Sequence, residues 1–199
     1  VEALTDLAIQ VASGLEAAHT TRFVDEAGLP REGIVHGNIK TRKIMFTPEG
    51  VPKLIDFMFT DLSRSNNIKL SLPEAVKQMM RSERPALYLP PEVLRGESPV
   101  NKLSDIYGLG AVFFEIASGQ SIADTSFTSE EGLYRFIREK HRNFPRHLAG
   151  VIYDATQADP ARRFQNAGEM IDGLLNYSSL GKRVLYWFRR KKFLPAKKR

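Results

Sequence analysis

Ile34-Val35-His36-Gly37-Asn38-Ile39-Lys40-Thr41-Arg42-Lys43-Ile44-Met45, followed shortly by Lys53-Leu54-Ile55-Asp56-Phe57-Met58, is the stretch on which the fold turns. Two apolar runs, Ile44 to Phe46 and Val51 to Ile55, flank the turn Thr47-Pro48-Glu49-Gly50, an arrangement that predicts a β-hairpin. Pro52 has no amide hydrogen to give to a ladder, so its amide side is expected to face away from the partner strand.

Upstream, Leu4, Leu7, Ala8, Val11, Ala12, Leu15 and Ala18 follow the i, i+3, i+4 spacing of one helical stripe, which predicts a helix ending near Thr20. A polar loop with Gly28, Pro30 and Gly33 separates it from Ile34. Downstream, residues 60–85 are polar with no clean period beyond a helical hint at Pro73 to Met80. A loop of that length marks a functional or mobile segment. Asp105 to Ser118 is apolar almost all round, the pattern of a buried central helix, with Gly119 as its C-cap. Ser129 to Lys140 predicts an amphipathic helix with Leu133, Phe136 and Ile137 on one face. Leu148 to Thr156 and Ala167 to Tyr177 predict two more. The organisation is mainly helical, with one small hairpin.

The 199 residues have an ordinary globular composition, 42% hydrophobic and 26% charged, enough for one domain with a substantial core. There is no cysteine, which excludes a disulfide framework, a thiolate metal site and a cysteine nucleophile. His19, His36, His141 and His147 are scattered, with no pair at metal-ligand spacing. The longest uninterrupted apolar run, Val184 to Phe188, is far short of the ~20 residues of a membrane span. No signal peptide opens the sequence, which makes the cytoplasm the expected setting. It begins with Val rather than Met, which suggests residues upstream. Nine basic residues and no acidic one fall within 178–199, so a chain of net charge +6 carries −3 over residues 1–177. The basicity belongs to the tail, which argues against a nucleic-acid-binding fold with its basic face.

Several segments, in order, resemble the C-terminal lobe of a eukaryotic-type serine/threonine protein kinase of the kind also found in bacteria. Residues 34–45 resemble the catalytic loop, whose usual form is H-R-D-L-K-x-x-N, and Lys53 to Met58 resembles the strand leading into D-F-G. Tyr88-Leu89-Pro90-Pro91-Glu92 resembles the A-P-E segment. Ser104-Asp105-Ile106-Tyr107-Gly108-Leu109-Gly110 resembles the helix entered through D-x-W-S-x-G, and Asp159-Pro160-Ala161-Arg162-Arg163-Phe164 resembles the late D-P-x-x-R motif. The resemblance implies a mainly α kinase C-lobe: a helical bundle around a buried central helix, spanning residues 1–177, with residues 178–199 as a basic, aromatic-containing tail.

The departures from the family pattern bear on chemistry. Phosphoryl transfer in this family relies on phosphate-holding groups, two side chains on Mg²⁺, and an Asp that accepts the substrate hydroxyl proton. The base position here is Asn38, a neutral amide with no useful basicity. The metal-binding Asn position is Lys43, whose ammonium has no lone pair and repels a cation; Asp56 keeps the other metal position. Gly37 replaces the Arg that in many kinases clamps a phosphorylated activation loop. Met58 replaces the Gly of D-F-G, which disfavours φ > 0 there. No Gly-rich loop, β3 Lys or partner Glu stands ahead of the first helix, so the sequence as written supplies half an ATP cleft. ATP and magnesium are cofactors only if an upper lobe lies upstream.

The remaining site residues read structurally. His36 is expected to be a core packing residue, Phe57 a structural residue, and Lys40, without a base to serve, a solvated charge. The resemblance implies that Asp105 braces the catalytic-loop backbone and that Glu92 and Arg163 form a buried salt bridge. Lys43 beside Asp56 reads either as an ion pair standing where the metal would sit or as two solvated side chains. Ser63, Ser65, Ser71 and Ser82 are candidate phosphorylation sites in the activation-segment region. In the tail, Tyr186, Trp187 and Phe188 precede Arg189, Arg190, Lys191 and Lys192. That order suits first an anionic membrane surface, then an acidic protein partner or RNA, the alternative being a solvated tail.

These residues lead to the expectation of a pseudokinase: a protein-binding scaffold or regulatory module. It would recognise partners through the activation segment and the Leu133 to Ile137 helix, and would sit in the cytoplasm or peripherally at the inner face of a membrane. One rival is a fragment of a serine/threonine kinase whose N-lobe lies upstream. Another is a structural subunit of a larger assembly.

Overall fold

The computed structural model describes residues 2–25, 27–57, 87–127 and 129–176. Helix α1 (Glu2–Thr20) is followed by strands β1 (Arg22–Val24) and β2 (Pro30–Glu32), then by a 3₁₀ turn (Thr41–Lys43) that feeds β3 (Ile44–Phe46) and β4 (Pro52–Leu54). The short helix α2 (Pro91–Leu94) precedes α3 (Lys102–Ser118), α4 (Glu130–Lys140), α5 (Arg146–Ala155) and α6 (Ala167–Asn176). The mainly helical class expected from the sequence is what forms.

Helix α3 is the axis of the lobe. Thirteen of its seventeen residues are buried. Its start is fixed by a capping box in which the Asn101 side chain accepts from the amides of Leu103 and Ser104 while Ser104 Oγ accepts from the Asn101 amide. Its end is closed by Gly119 in the left-handed region at φ 71°, the C-cap foreseen from the sequence. Helix α5 lies so close that a Cβ on Gly110 would meet the Ala155 Cβ at 2.7 Å, so this contact requires glycine. Helix α1 packs against α6 and β4, and α4 against α5. Phe113, Phe114, Leu109, Leu15, Leu148 and Ile171 form part of a single continuous core.

The expected hairpin is present. β3 and β4 pair antiparallel, with Ile44 opposite Leu54 and Phe46 opposite Pro52. The Thr47 amide donates to the Val51 carbonyl and the Ile55 amide to the Lys43 carbonyl, so the alternation of the ladder leaves Phe46 and Pro52 a non-hydrogen-bonded pair. The missing amide hydrogen of Pro52 therefore costs no ladder bond.

A second hairpin corrects the sequence reading. Residues 22–32, expected as a polar loop, contain β1 and β2 paired antiparallel from Arg22 opposite Glu32 to Val24 opposite Pro30. Neither strand buries a face, so no apolar alternation announces them. What closes the turn is Asp25, whose carboxylate accepts from the Ala27 and Leu29 amides and pairs with Arg31 at 2.7 Å. The four-residue α2 was likewise not foreseen, and α5 begins at Arg146, two residues ahead of Leu148. The helical hint at Pro73 to Met80 lies outside the described residues. Among the described residues no helix is long and apolar enough to cross a membrane.

Candidate functional site

The loop of residues 34–43 is suspended from helix α3 by one carboxylate. Asp105 Oδ2 accepts from the His36 amide at 2.7 Å, and Oδ1 from the Gly37 amide at 2.8 Å. The His19 ring nitrogen Nε2 stands 2.8 Å from Oδ2. Asp105 is 2% exposed, so its charge is solvated by these donors rather than by water. Gly37 takes φ 72°, the left-handed region, as its amide meets the carboxylate.

His36 is fully buried. Its Nε2 donates to the Ile55 carbonyl at 3.0 Å and its Nδ1 accepts from the Asn38 amide at 3.3 Å, which fixes one neutral tautomer. The ring lies against Phe57, with centroids 4.5 Å apart. Burial pushes its pKa down, against the upward pull of the Asp105 charge. His36 thus ties the loop to the strand that leads into Asp56.

Lys43 and Asp56 meet at the edge of β3 and β4. The Lys43 ammonium donates to Asp56 Oδ2, and this hydrogen bond is the main reason the Asp56 carboxyl is held below its ordinary pKa. Asp56 is the one non-glycine residue with positive φ among the described residues, at 61°. That conformation is tolerated by Asp but not by most side chains. Of the two readings left open for these side chains, the ion pair is the one formed.

Lys40 corrects an expectation. It is 7% exposed, not solvated. Burial, with Arg42 and Lys43 nearby, pushes its ammonium down, and Asp56 pulls it up. Two ammoniums, those of Lys43 and Lys40, therefore act on the Asp56 carboxylate. The resemblance implies magnesium here, but the donor set does not fit it. Asp56 is engaged by an ammonium, Lys43 has no lone pair, and Asn38 brings no charge. No cluster of three His, Asp or Glu suited to a metal occurs among the described residues.

Glu92 and Arg163 are joined as a buried bidentate pair, Nη1 to Oε1 at 2.7 Å and Nη2 to Oε2 at 2.8 Å. A polar cluster that sequence reasoning missed lies nearby. Thr41 Oγ1 donates to Glu115 Oε2, Tyr88 O–H donates to the same oxygen at 2.5 Å, and the two hydroxyls are 3.2 Å apart. Burial and the Glu115 carboxylate push the Tyr88 pKa up. The three residues come from three segments, so no local pattern links them.

Leu133 and Ile137, expected to mark a docking helix, are 1% and 0% exposed and belong to the core. The solvent side of α4 is formed by Arg135, Arg138 and neighbours instead. Met58, Ser63, Ser65, Ser71, Ser82 and the tail residues Tyr186 to Lys192 lie outside the described residues.

Comparison with known proteins agrees with the geometry. The family model for the protein kinase domain matches residues 2–181. The chain is 30% identical to a probable serine/threonine-protein kinase of Clostridium acetobutylicum over 179 residues, which cover 87% of this chain and 24% of that protein. It is 29% identical to a probable serine/threonine-protein kinase of Clostridium perfringens, over 87% of this chain and 23% of the relative. It is 30% identical to serine/threonine-protein kinase PknB of Mycobacterium tuberculosis, over 70% and 22% respectively. The chain spans about a quarter of the length of these relatives.

Proposed function

The chain belongs to the protein kinase family, and from that premise we propose that it is a pseudokinase lobe that binds proteins without transferring phosphate to them. The observation that carries this reading is the Lys43 ammonium on the Asp56 carboxylate. Phosphoryl transfer needs a divalent cation to neutralise charge developing on the phosphate and a base within reach of the hydroxyl. A fixed ammonium competes for the carboxylate that would grip the cation, and the Asn38 amide takes up no proton near neutral pH. The bracing by Asp105 and by the Glu92–Arg163 pair stays in place. A lobe so built keeps a rigid surface while its chemistry lapses.

The test uses the full-length natural polypeptide. Isothermal titration with ATP and magnesium, followed by transfer of labelled γ-phosphate to a serine/threonine peptide, should give no turnover. Tight magnesium-dependent uptake with turnover would overturn the reading.

The second reading is a fragment of an active serine/threonine kinase, and the relatives support it better than they support a scaffold, since each is named as a kinase. Met45 and Phe46 favour it too: they are 53% and 58% exposed, an apolar surface that an upper lobe would cover. A Gly-rich loop and a β3 Lys upstream would keep nucleotide binding alive. A purely structural subunit is the remaining alternative. Cytoplasmic placement with peripheral membrane contact through Tyr186 to Lys192 is part of the proposal. Flotation of a tail–reporter fusion with liposomes checks it: indifference to anionic lipid would remove it.

A further inference from the structure

The solvent face of α4 holds charges that the loop of residues 34–43 does not use. Tyr134 lies between two guanidiniums: that of Arg138, one turn on, 5.5 Å from the ring centre, and that of Arg146, at the start of α5, at 5.3 Å. Glu131 ties the two helices together, accepting from Arg135 at 3.1 Å and from Arg146 at 2.6 Å. One carboxylate is thus shared by two arginines. Arg138 has no carboxylate within 4.0 Å among the described residues.

The charge balance is local. Residues 131–147 carry five lysine or arginine side chains against two acidic ones, on a body that is net negative over residues 1–177. The platform is also rigid from beneath. Leu133 and Ile137 anchor α4 in the core, and Phe136 stacks on Phe114 at 5.9 Å and meets Phe127 edge-on at 5.3 Å. A guanidinium already stacked on a ring loses little freedom when it forks onto a carboxylate, and the fork matches carboxylate geometry.

We propose that this face docks an acidic segment of a protein partner, whose carboxylates meet Arg138 and Arg146 across the Tyr134 ring. The proposal rests on the protein-binding reading above and supplies the chemistry of the partner.

The tail, with its nine basic residues, would bind the same probe, so the experiment separates the two. Fluorescence anisotropy of a short labelled Glu-rich peptide is measured at physiological salt against the full chain, the double variant R138E/R146E, and a tail variant with Arg189, Arg190, Lys191 and Lys192 changed to Ala. Both replaced arginines are exposed, and matching thermal melts establish that the variants fold. The expected result is about tenfold weaker binding for R138E/R146E and less than about threefold for the tail variant. The proposal is overturned if the wild-type chain shows no saturable binding or if the tail variant carries the loss. It is equally overturned if phosphatidylserine vesicles or single-stranded RNA engage the same two arginines more tightly than the peptide does. Phosphate transfer by the full-length protein would sink the pseudokinase reading and leave this binding result untouched.

Discussion

Arg163 grips Glu92 with both ends of its guanidinium, at 2.7 and 2.8 Å, across 71 residues of sequence. The Arg163 side chain is 0% exposed and that of Glu92 8%, so neither charge has water to turn to. Arg163 also donates to the carbonyls of Gln157 and Ala158 and lies 5.1 Å from the Tyr107 ring centre. The pair thus staples the short helix α2 to the loop that leads into α6.

Arg163→Ala should therefore destabilise the fold by about 3–5 kcal/mol, because it strands a buried carboxylate. The double change of Glu92→Leu with Arg163→Met should recover a large part of that loss, since no charge is left unpaired. Urea unfolding midpoints of the two variants check both statements. Equal destabilisation by the single and double variants would show that the carbonyl contacts of Arg163, not its charge, hold this junction.

Much of this was legible beforehand, for identifiable reasons. Helices α1 and α3 announce themselves because their apolar spacing is set by the core they bury, and Gly119 because a left-handed C-cap favours glycine. Asp105, Glu92 and Arg163 were reachable only through the family resemblance, since no local pattern pairs residues so far apart. The hairpin of β1 and β2 was not legible: it is held by backbone pairing and by Asp25, and it buries nothing. The burial of Lys40 was missed because residue type predicts exposure, whereas tertiary packing covers its stem. Thr41, Tyr88 and Glu115 meet only once the chain has folded.

The same geometry limits what one substitution restores. In the full-length protein Asn38→Asp alone should give no phosphoryl transfer, because Lys43 still holds Asp56. Pairing it with Lys43→Asn returns a base and frees the carboxylate, so any recovery should require both changes. Transfer of labelled phosphate is the measurement, and detectable turnover by the single variant would refute the ion-pair argument.

His36 sets a pH dependence. Burial lowers its folded pKa below the ordinary 6.5, so over that window the unfolded chain binds more protons than the folded one. Its contribution is present in full above about pH 6.5 and is lost as pH falls from there towards the lowered folded value, at no more than ~1.4 kcal/mol per pH unit. His147, also pushed down by burial, adds to the same slope. His36→Gln should be less stable at pH 7.5, because the Ile55 and Asn38 contacts are disturbed, yet lose less on acidification to pH 5.5 than the parent. Unfolding midpoints at the two pH values decide. An undiminished slope in the variant would assign it elsewhere.

Gly37 offers the sharpest backbone test. It stands where many kinases carry an arginine, it is buried, and its φ of 72° lets its amide reach Asp105 Oδ1. Gly37→Ala adds a Cβ in the left-handed region and should cost about 1–2 kcal/mol. Gly37→Asn, of a type that tolerates this region, should cost less despite its larger side chain. If space rather than φ were decisive, Asn would be the worse of the two, so the order of the two urea midpoints distinguishes the causes. The order Gly above Asn above Ala would establish that backbone conformation at residue 37, held by the Asp105 carboxylate, shapes this loop.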